Sequence, residues 1–375
     1  MSDKAKSSRR KIRYAVVGTG HIAQVAILPA FQTAKNSELV AIVSSDAQKR
    51  EELSKKYGLQ HAYSYDEYEQ ALSDIDAVYL ALPNHLHSEY SVRAAKAGVH
   101  VLCEKPMAVT EEECESMIQA AEQSKIKLMI AYRLRFERGN LEAIEIAKSG
   151  QLGNTRFFSS DFAQQVAEGN IRLTEPVEKG GGPVYDMGVY CINAARYLFQ
   201  DEPAEILSSS ASSDDSKFKQ AGEMVSVVMR FPGERLASFT CSFGAADIGR
   251  YTLVGTKGTL TADPAYEYAS GIKHRVTIDS QTTNKNFPKR DQFAAEITYF
   301  SNCIRKNQEP EPSGVEGLAD VRIVRAIYES ANSGKSVKLP EFTKRKRPSL
   351  GQEIHNEAHG KPETVNVESP SGEAA

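Results

Sequence analysis

Three stretches of the chain combine side chains or backbone groups at spacings that suit chemistry. The first is Gly18-Thr19-Gly20-His21-Ile22-Ala23, which follows the apolar run Tyr14 to Val17. Glycine at 18 permits a tight turn, glycine at 20 lets a ligand approach the backbone, and Ala23 lets helix pack closely on strand. The free N–H groups and positive dipole end of the ensuing helix suit a pyrophosphate. The second stretch has two parts, Leu82-Pro83-Asn84-His85-Leu86-His87 and Cys103-Glu104-Lys105-Pro106. Each follows a predicted strand that a proline stops, where open α/β sheets bind ligands. The third places Asp186 and Tyr190 four residues apart on a predicted helix after Gly180-Gly181-Gly182, so both share one face.

Beside a dinucleotide, these groups suit hydride transfer at a carbinol carbon, which needs a base for the O–H proton. A free phenol, with a pKa of about 10, is a poor base at neutral pH. An ammonium from Lys105 would favour the phenolate of Tyr190 and steady a developing alkoxide, with Asp186 holding Lys105 or a substrate hydroxyl. Whether Lys105 or Tyr190 takes the proton is open at this level. Arg133 and Arg172 could bond substrate hydroxyls or form structural ion pairs. His85 and His87 lack a companion carboxylate or cysteine cluster, so no metal is expected; His87 is placed along the cofactor cleft and His85 on the surface.

The second strand ends in Val43-Ser44-Ser45-Asp46, with Lys49 and Arg50 one turn into the next helix. An NAD site wants an acidic side chain there, for the ribose 2'-hydroxyl. Ser44 stands in that place, so a 2'-phosphate would meet hydroxyls and cations, and NADP is expected in preference to NAD. Asp46 suits an N-cap.

The elements that must position these residues read as two units. Strands at 12–17, 38–43, 76–81, 99–103 and 127–131 alternate with helices at 22–34, 47–57, 65–72, 86–97 and 111–124, the rhythm of a doubly wound parallel sheet over 11–131. From 132 to 341, helices at 138–149 and 184–199 precede strands at 225–231, 236–243, 251–254, 259–262 and 274–278, and helices near 290–306 and 314–333 follow. That pattern predicts an α+β unit with a large open, mainly antiparallel sheet. Residues 1–10 read as a solvated tail despite the twin-arginine look of Ser8-Arg9-Arg10, because an export cleavage downstream would destroy the glycine site. Residues 342–375, with the run Lys344-Arg345-Lys346-Arg347, read as a polar disordered tail.

With 46 basic and 49 acidic residues, the net charge of -3 favours neither nucleic acid nor an anionic membrane as partner. Five scattered cysteines without a C-x-x-C, and no apolar run of membrane-spanning length, point to a reduced cytoplasmic chain.

Together, the glycine fingerprint, Pro83-Asn84 with His87, Glu104-Lys105-Pro106 and the run Gly180 to Tyr190 resemble the glucose-fructose oxidoreductase family, also called Gfo/Idh/MocA, over about residues 11 to 340. Tyr190, where many members carry His, together with Tyr197-Leu198, Gly255-Thr256-Lys257-Gly258 and Asp320-Val321-Arg322, is similar to the NADP aldose dehydrogenase branch. The resemblance implies a Rossmann domain, a second domain whose sheet forms a homodimer or homotetramer interface, no metal, and Lys105 in catalysis. It implies as cofactor site Gly18, Thr19, Gly20, His21, Ile22, Ser44, Ser45, Lys49, Leu82, Pro83, Asn84, His87, Glu104, Lys105 and Arg133. Lys105, Arg172, Asp186 and Tyr190 would face a sugar or polyol, oxidised at an aldose C1 or reduced as a keto-sugar. A nucleotide-sensing regulator of the same fold, and a dehydrogenase of a non-sugar diol or inositol, are the alternatives. The absence of tryptophan departs from the family pattern at the substrate wall near Arg172.

Overall fold

A run of buried β-branched residues dictates where the first sheet forms. The computed structural model describes residues 10–343 and 346–372. Six parallel strands, β1 (Ile12–Val17), β2 (Ser37–Val43), β3 (His61–Tyr63), β4 (Ala77–Leu80), β5 (His100–Glu104) and β6 (Leu128–Ala131), lie in the order β3-β2-β1-β4-β5-β6. Both faces are covered, which is why β4 and the Tyr14 to Val17 part of β1 read as unbroken apolar runs. The helix opening at His21, and helices α1 (Ala47–Tyr57), α2 (His87–Lys96) and α3 (Glu111–Ser124), connect them. Thr110 and Glu113 cap α3 reciprocally. Within this sheet, β3, three residues long, is the strand that escapes the sequence reading.

After α4 (Arg138–Lys148) comes the second sheet. It contains β7 (Thr155–Ala163), then, beyond α5 (Val189–Phe199), β8 (Glu205–Ala211), β9 (Met224–Phe231), β10 (Arg235–Ser242), β11 (Ile248–Gly255), β12 (Gly258–Ala262), β13 (Lys273–Ile278) and β14 (Gln281–Asn286). With β15 (Val337–Lys338), the order is β14-β13-β12-β11-β7-β10-β9-β8-β15, antiparallel at every pairing except β7 with β10. This is the expected fold class. Residues of β9 alternate strictly between exposed and buried, so one face of the sheet packs against α5 and the other stays open. Phe157, Leu207, Val228 and Leu236 stand on that open side, each more than two-fifths exposed.

Two helices tie the sheets together. Although α6 (Gln292–Lys306) follows the second sheet in sequence, its Phe293, Ala294, Ile297 and Phe300 pack with Ile12, Tyr14 and Val16 of β1. Tyr14 Oη and Ser37 Oγ each lie 2.7 Å from Ser301 Oγ. Helix α7 (Gly314–Ser333) sends Val321 into the core of the first sheet, and Ile323, Val324 and Ile327 into that of the second.

The stretch beyond 342 is not the free tail its composition predicts. In its described part the backbone returns to the body, where Asp291 N–H donates to Asn356 O at 3.1 Å and Val365 N–H donates to Gln24 Oε1 at 2.7 Å. Polar composition signals too little apolar area to bury, but it does not forbid an extended segment from bonding a surface through its backbone. Arg347 pairs with Glu202 at 2.8 Å. Residues 1–9 and Lys344-Arg345 lie outside the described residues.

Candidate active site

The site is assembled at the carboxyl ends of β1, β2, β4 and β5. Gly18 ends β1 with φ of +94°, and a Cβ there would sit 2.3 Å from the Ala81 carbonyl oxygen, so packing alone demands glycine. Gly20 differs, since a Cβ there would meet no protein atom within 4 Å. The space above it is open, and His21 and Ile22 begin a helix whose first N–H groups border that space. These residues fit a dinucleotide pyrophosphate.

At the end of β2 the geometry corrects one expectation. Ser44 is buried, and its hydroxyl accepts from Thr19 Oγ1 at 2.7 Å instead of facing a ligand. Ser45 is exposed beside it, and Lys49 is half-buried one turn on. Arg50 Nη1 donates to the Ser44 carbonyl at 2.5 Å, which leaves the cation at the rim. Asp46 caps α1 through Lys49 N–H at 3.1 Å, and that bond holds its carboxyl below the usual range.

The loops after β4 and β5 are joined through His87, which is fully buried and does not line the cleft. Its ring lies 2.9 Å from both Pro106 O and Leu82 O, and burial pushes its pKa down to about 4, so the neutral ring donates to one of these carbonyls. Pro83 stops β4, and Asn84 donates to Gly180 O at 2.7 Å, which fixes the triple-glycine loop against the first sheet. His85 lies 3.5 Å from Glu175 and is half-buried. Among the described residues no group of three or more His, Cys, Asp or Glu could hold a metal ion.

That loop delivers Asp186 and Tyr190. Residues Val184–Gly188 form a π-helical turn that runs into α5. Lys105 Nζ donates to Asp186 O at 2.9 Å and to Asp186 Oδ1 at 3.3 Å, and it lies 4.9 Å from the centre of the Tyr190 ring. Arg172 Nε pairs with Asp186 Oδ2 at 2.6 Å. Burial opposes the charge on Lys105, but Tyr190, Asp186 and Glu104 outweigh it and raise its pKa. Burial likewise opposes the Asp186 carboxylate, and Arg172 and Lys105 outweigh it, so that carboxyl is held low. The Tyr190 hydroxyl has no hydrogen-bond partner among the described residues.

Arg133 stands behind Tyr190 and not free in the cleft. Its guanidinium lies 5.0 Å from the Tyr190 ring centre, with donors spent on Gln292 and on Tyr266 O at 2.6 Å. Phe162 meets Tyr190 edge-on at 5.6 Å and stacks on Tyr266 at 5.0 Å, so these rings supply the aromatic wall in a chain without tryptophan.

Two buried groups hydrogen-bonded behind Glu104 escape the sequence reading, Tyr79 and Glu296. The Tyr79 hydroxyl lies 2.9 Å from Glu104 Oε1 and 2.6 Å from Glu296 Oε1. One phenolic proton cannot serve two carboxylates, so one of the carboxyls is itself protonated. Glu296 is fully buried, and burial together with the Glu104 charge raises its pKa well above the carboxylate range. Glu296 therefore donates to Tyr79, and Tyr79 to Glu104. The signal was present in the sequence, because Glu296 sits on the apolar stripe of Phe293, Ile297 and Phe300, where a charge has no reason to be.

Comparison with known proteins agrees with this architecture. Residues 12–132 match the family model for the GFO/IDH/MocA oxidoreductase family with NAD-binding Rossmann fold, and residues 140–261 match the GFO/IDH/MocA C-terminal domain. The chain is 29% identical to a D-xylose 1-dehydrogenase [NADP(+)] of Haloarcula marismortui, over 88% of this chain and 93% of that protein. A second D-xylose 1-dehydrogenase (NADP(+)), from Haloferax volcanii, is 29% identical over 87% of this chain and 99% of its own. The crystal structure of aldose-aldose oxidoreductase from Caulobacter crescentus, complexed with glycerol, superposes with a TM-score of 0.83 at 35% identity, covering 88% of this chain and all of that one.

Proposed function

Because the chain belongs to the GFO/IDH/MocA oxidoreductase family, we propose that it is an NADP-linked enzyme that moves a hydride from C1 of an aldose to the nicotinamide, leaving a lactone, or from the reduced nicotinamide to the carbonyl carbon of a keto-sugar. The observation that carries this reading is the Lys105 ammonium, held by Asp186 over the ring of Tyr190, whose hydroxyl has no partner among the described residues. Similarity to NADP-dependent xylose dehydrogenases and to an aldose-aldose oxidoreductase supports the substrate class and the cofactor.

Gly18 to Ile22 would hold the pyrophosphate, Ser45, Lys49 and Arg50 the 2'-phosphate end, and Leu82, Pro83, Asn84 and Glu104 the nicotinamide half. The bound cofactor supplies the hydride acceptor or donor. Lys105 has three N–H donors, of which two serve Asp186, so the third remains for a substrate oxygen. Its raised pKa keeps it an ammonium, which makes it a poor base and a good stabiliser of a developing alkoxide. Tyr190, once deprotonated, then takes the carbinol proton at its phenolate oxygen and returns it in the reverse direction. Arg172 both orients Asp186 and stands where it can donate to a sugar hydroxyl.

Five buried, unpaired cysteines suit a reducing compartment, and we place the enzyme in the cytoplasm. The apolar open face of the second sheet suits a second copy of the chain. Purified protein with NADP and xylose or glucose should gain absorbance at 340 nm. Absence of turnover across a broad aldose and polyol panel would overturn the assignment.

A further inference from the structure

We infer that the C-terminal segment 356–372 is part of the nucleotide site, strapping the cleft over the dinucleotide and presenting Lys361 to its phosphates. The inference rests on the NADP reading above and adds residues that lie outside the glycine fingerprint.

The segment is fixed at both ends and crosses the cleft between them. At one end Asn356 Nδ2 donates to Thr33 O at 3.2 Å. In the middle, Gln24 of the glycine-loop helix brackets Val365 with two reciprocal bonds, Nε2 to Val365 O at 2.9 Å and Val365 N–H to Oε1 at 2.7 Å. The same Gln24 Nε2 donates to Thr19 O at 2.9 Å, which couples the segment directly to the glycine turn. Asn366 Nδ2 reaches Gln48 Oε1 at 2.9 Å and Asp46 Oδ2 at 3.2 Å, at the end of β2 where an adenosine ribose would lie. Lys56 Nζ donates to Glu363 O at 2.5 Å. At the far end Pro370 O accepts from Ala167 N–H at 2.8 Å, on the loop that leads to Arg172.

Between strap and body remains a cleft of about 390 Å³, bordered by His21, Tyr268, Phe293, His359 and Lys361. Its charge is suited to an anion. Lys361 has no hydrogen-bond or ion-pair partner among the described residues and borders the same cleft as His21, a ring whose protonation is opposed by burial, then by Arg172 and by Lys361. Asp291, the carboxylate at the wall, is committed to capping α6 through Ala294 N–H at 2.8 Å. An unpaired ammonium facing the first turn of the glycine-loop helix complements a pyrophosphate dianion. A dinucleotide lying between them could leave only after the strap lets go.

The test uses the full chain and follows nucleotide release, not turnover. NADPH dissociation is measured by chase with excess NADP, following nucleotide fluorescence, for the unaltered protein, Lys361→Ala and Val365→Pro. The first variant removes an exposed charge that no fold contact uses, and the second deletes the N–H that Gln24 accepts. Each should release NADPH about tenfold faster or more, the effect of losing one charge-assisted contact or one anchoring bond. Backbone amides of 358–368 should exchange with deuterium at least several-fold more slowly once NADP is added. Release rates within twofold of the unaltered protein, with exchange unchanged, would overturn the strap while leaving the NADP reading intact. Failure of the unaltered chain to bind NADP or NADPH at all would overturn both.

Discussion

The Tyr79 hydroxyl bridges the half-buried Glu104 and the fully buried Glu296, with a consequence that can be measured. Glu296 keeps its proton in the folded protein at pH values where the unfolded chain, with a carboxyl near 4.5, has lost it. Unfolding then releases a proton, so this group's contribution to stability is intact below about pH 4.5 and falls as pH rises toward its folded value, by about 1.4 kcal/mol per pH unit. His87 acts with opposite sign. Its folded pKa of about 4 lies below the ordinary 6.5, so its contribution is intact above 6.5 and lost as pH falls toward 4. Glu296→Gln, which keeps a donor for Tyr79, should therefore unfold in urea with a smaller loss of stability between pH 5 and pH 8 than the parent. A parallel pH dependence in the two proteins would show that Glu296 is ionised when folded. At this scale the sequence was readable where spacing alone sets direction, as for Asp186 and Tyr190 on one helix face. It misled where a side chain can turn either way: Ser44, His87 and Arg133 all face inward to hydrogen-bond partners that no local pattern announces.

Among the elements, the two fingerprint glycines make separable demands. Gly18→Ala drives a Cβ into the Ala81 carbonyl at a left-handed φ and should cost several kcal/mol of stability. Gly20→Ala meets no protein atom, so it should unfold within about 1 kcal/mol of the parent yet bind NADP at least tenfold more weakly. Paired thermal unfolding and nucleotide titration check both, and equal affinity for Gly20→Ala would remove the pyrophosphate from that position. Helix limits were legible almost throughout, because caps such as Thr110 with Glu113 and Asp291 at α6 are written in short local patterns. Strands were not. β7, the strand on which both halves of the second sheet meet, reads Thr-Arg-Phe-Phe-Ser-Ser-Asp-Phe-Ala and does not alternate cleanly. Every residue of β14 is polar and exposed, and the strand exists only because its backbone pairs with β13.

For the whole molecule, the placement of α6 and α7 could not be read from chain order, since both follow β14 and yet α6 packs on the first sheet and α7 on both. They align the two sheets so that Lys105, from the first, meets Asp186 and Tyr190, carried beside the second. The apolar open face makes its own prediction: if a twofold contact between copies covers it, Leu236→Lys places a charge twice in one interface. Native mass spectrometry should then show a dimer or tetramer for the parent and mainly monomer for the variant, and an unshifted assembly would move the contact elsewhere. The convergence of ammonium and phenol is tested most directly by Lys105→Met and Tyr190→Phe, with NADP affinity and the rate of NADPH formation from saturating xylose measured on the same preparations. The account predicts affinity within about threefold of the parent and a rate lower by about 10²- to 10⁴-fold in each variant. Rates within a few-fold of the parent in either variant would contradict it.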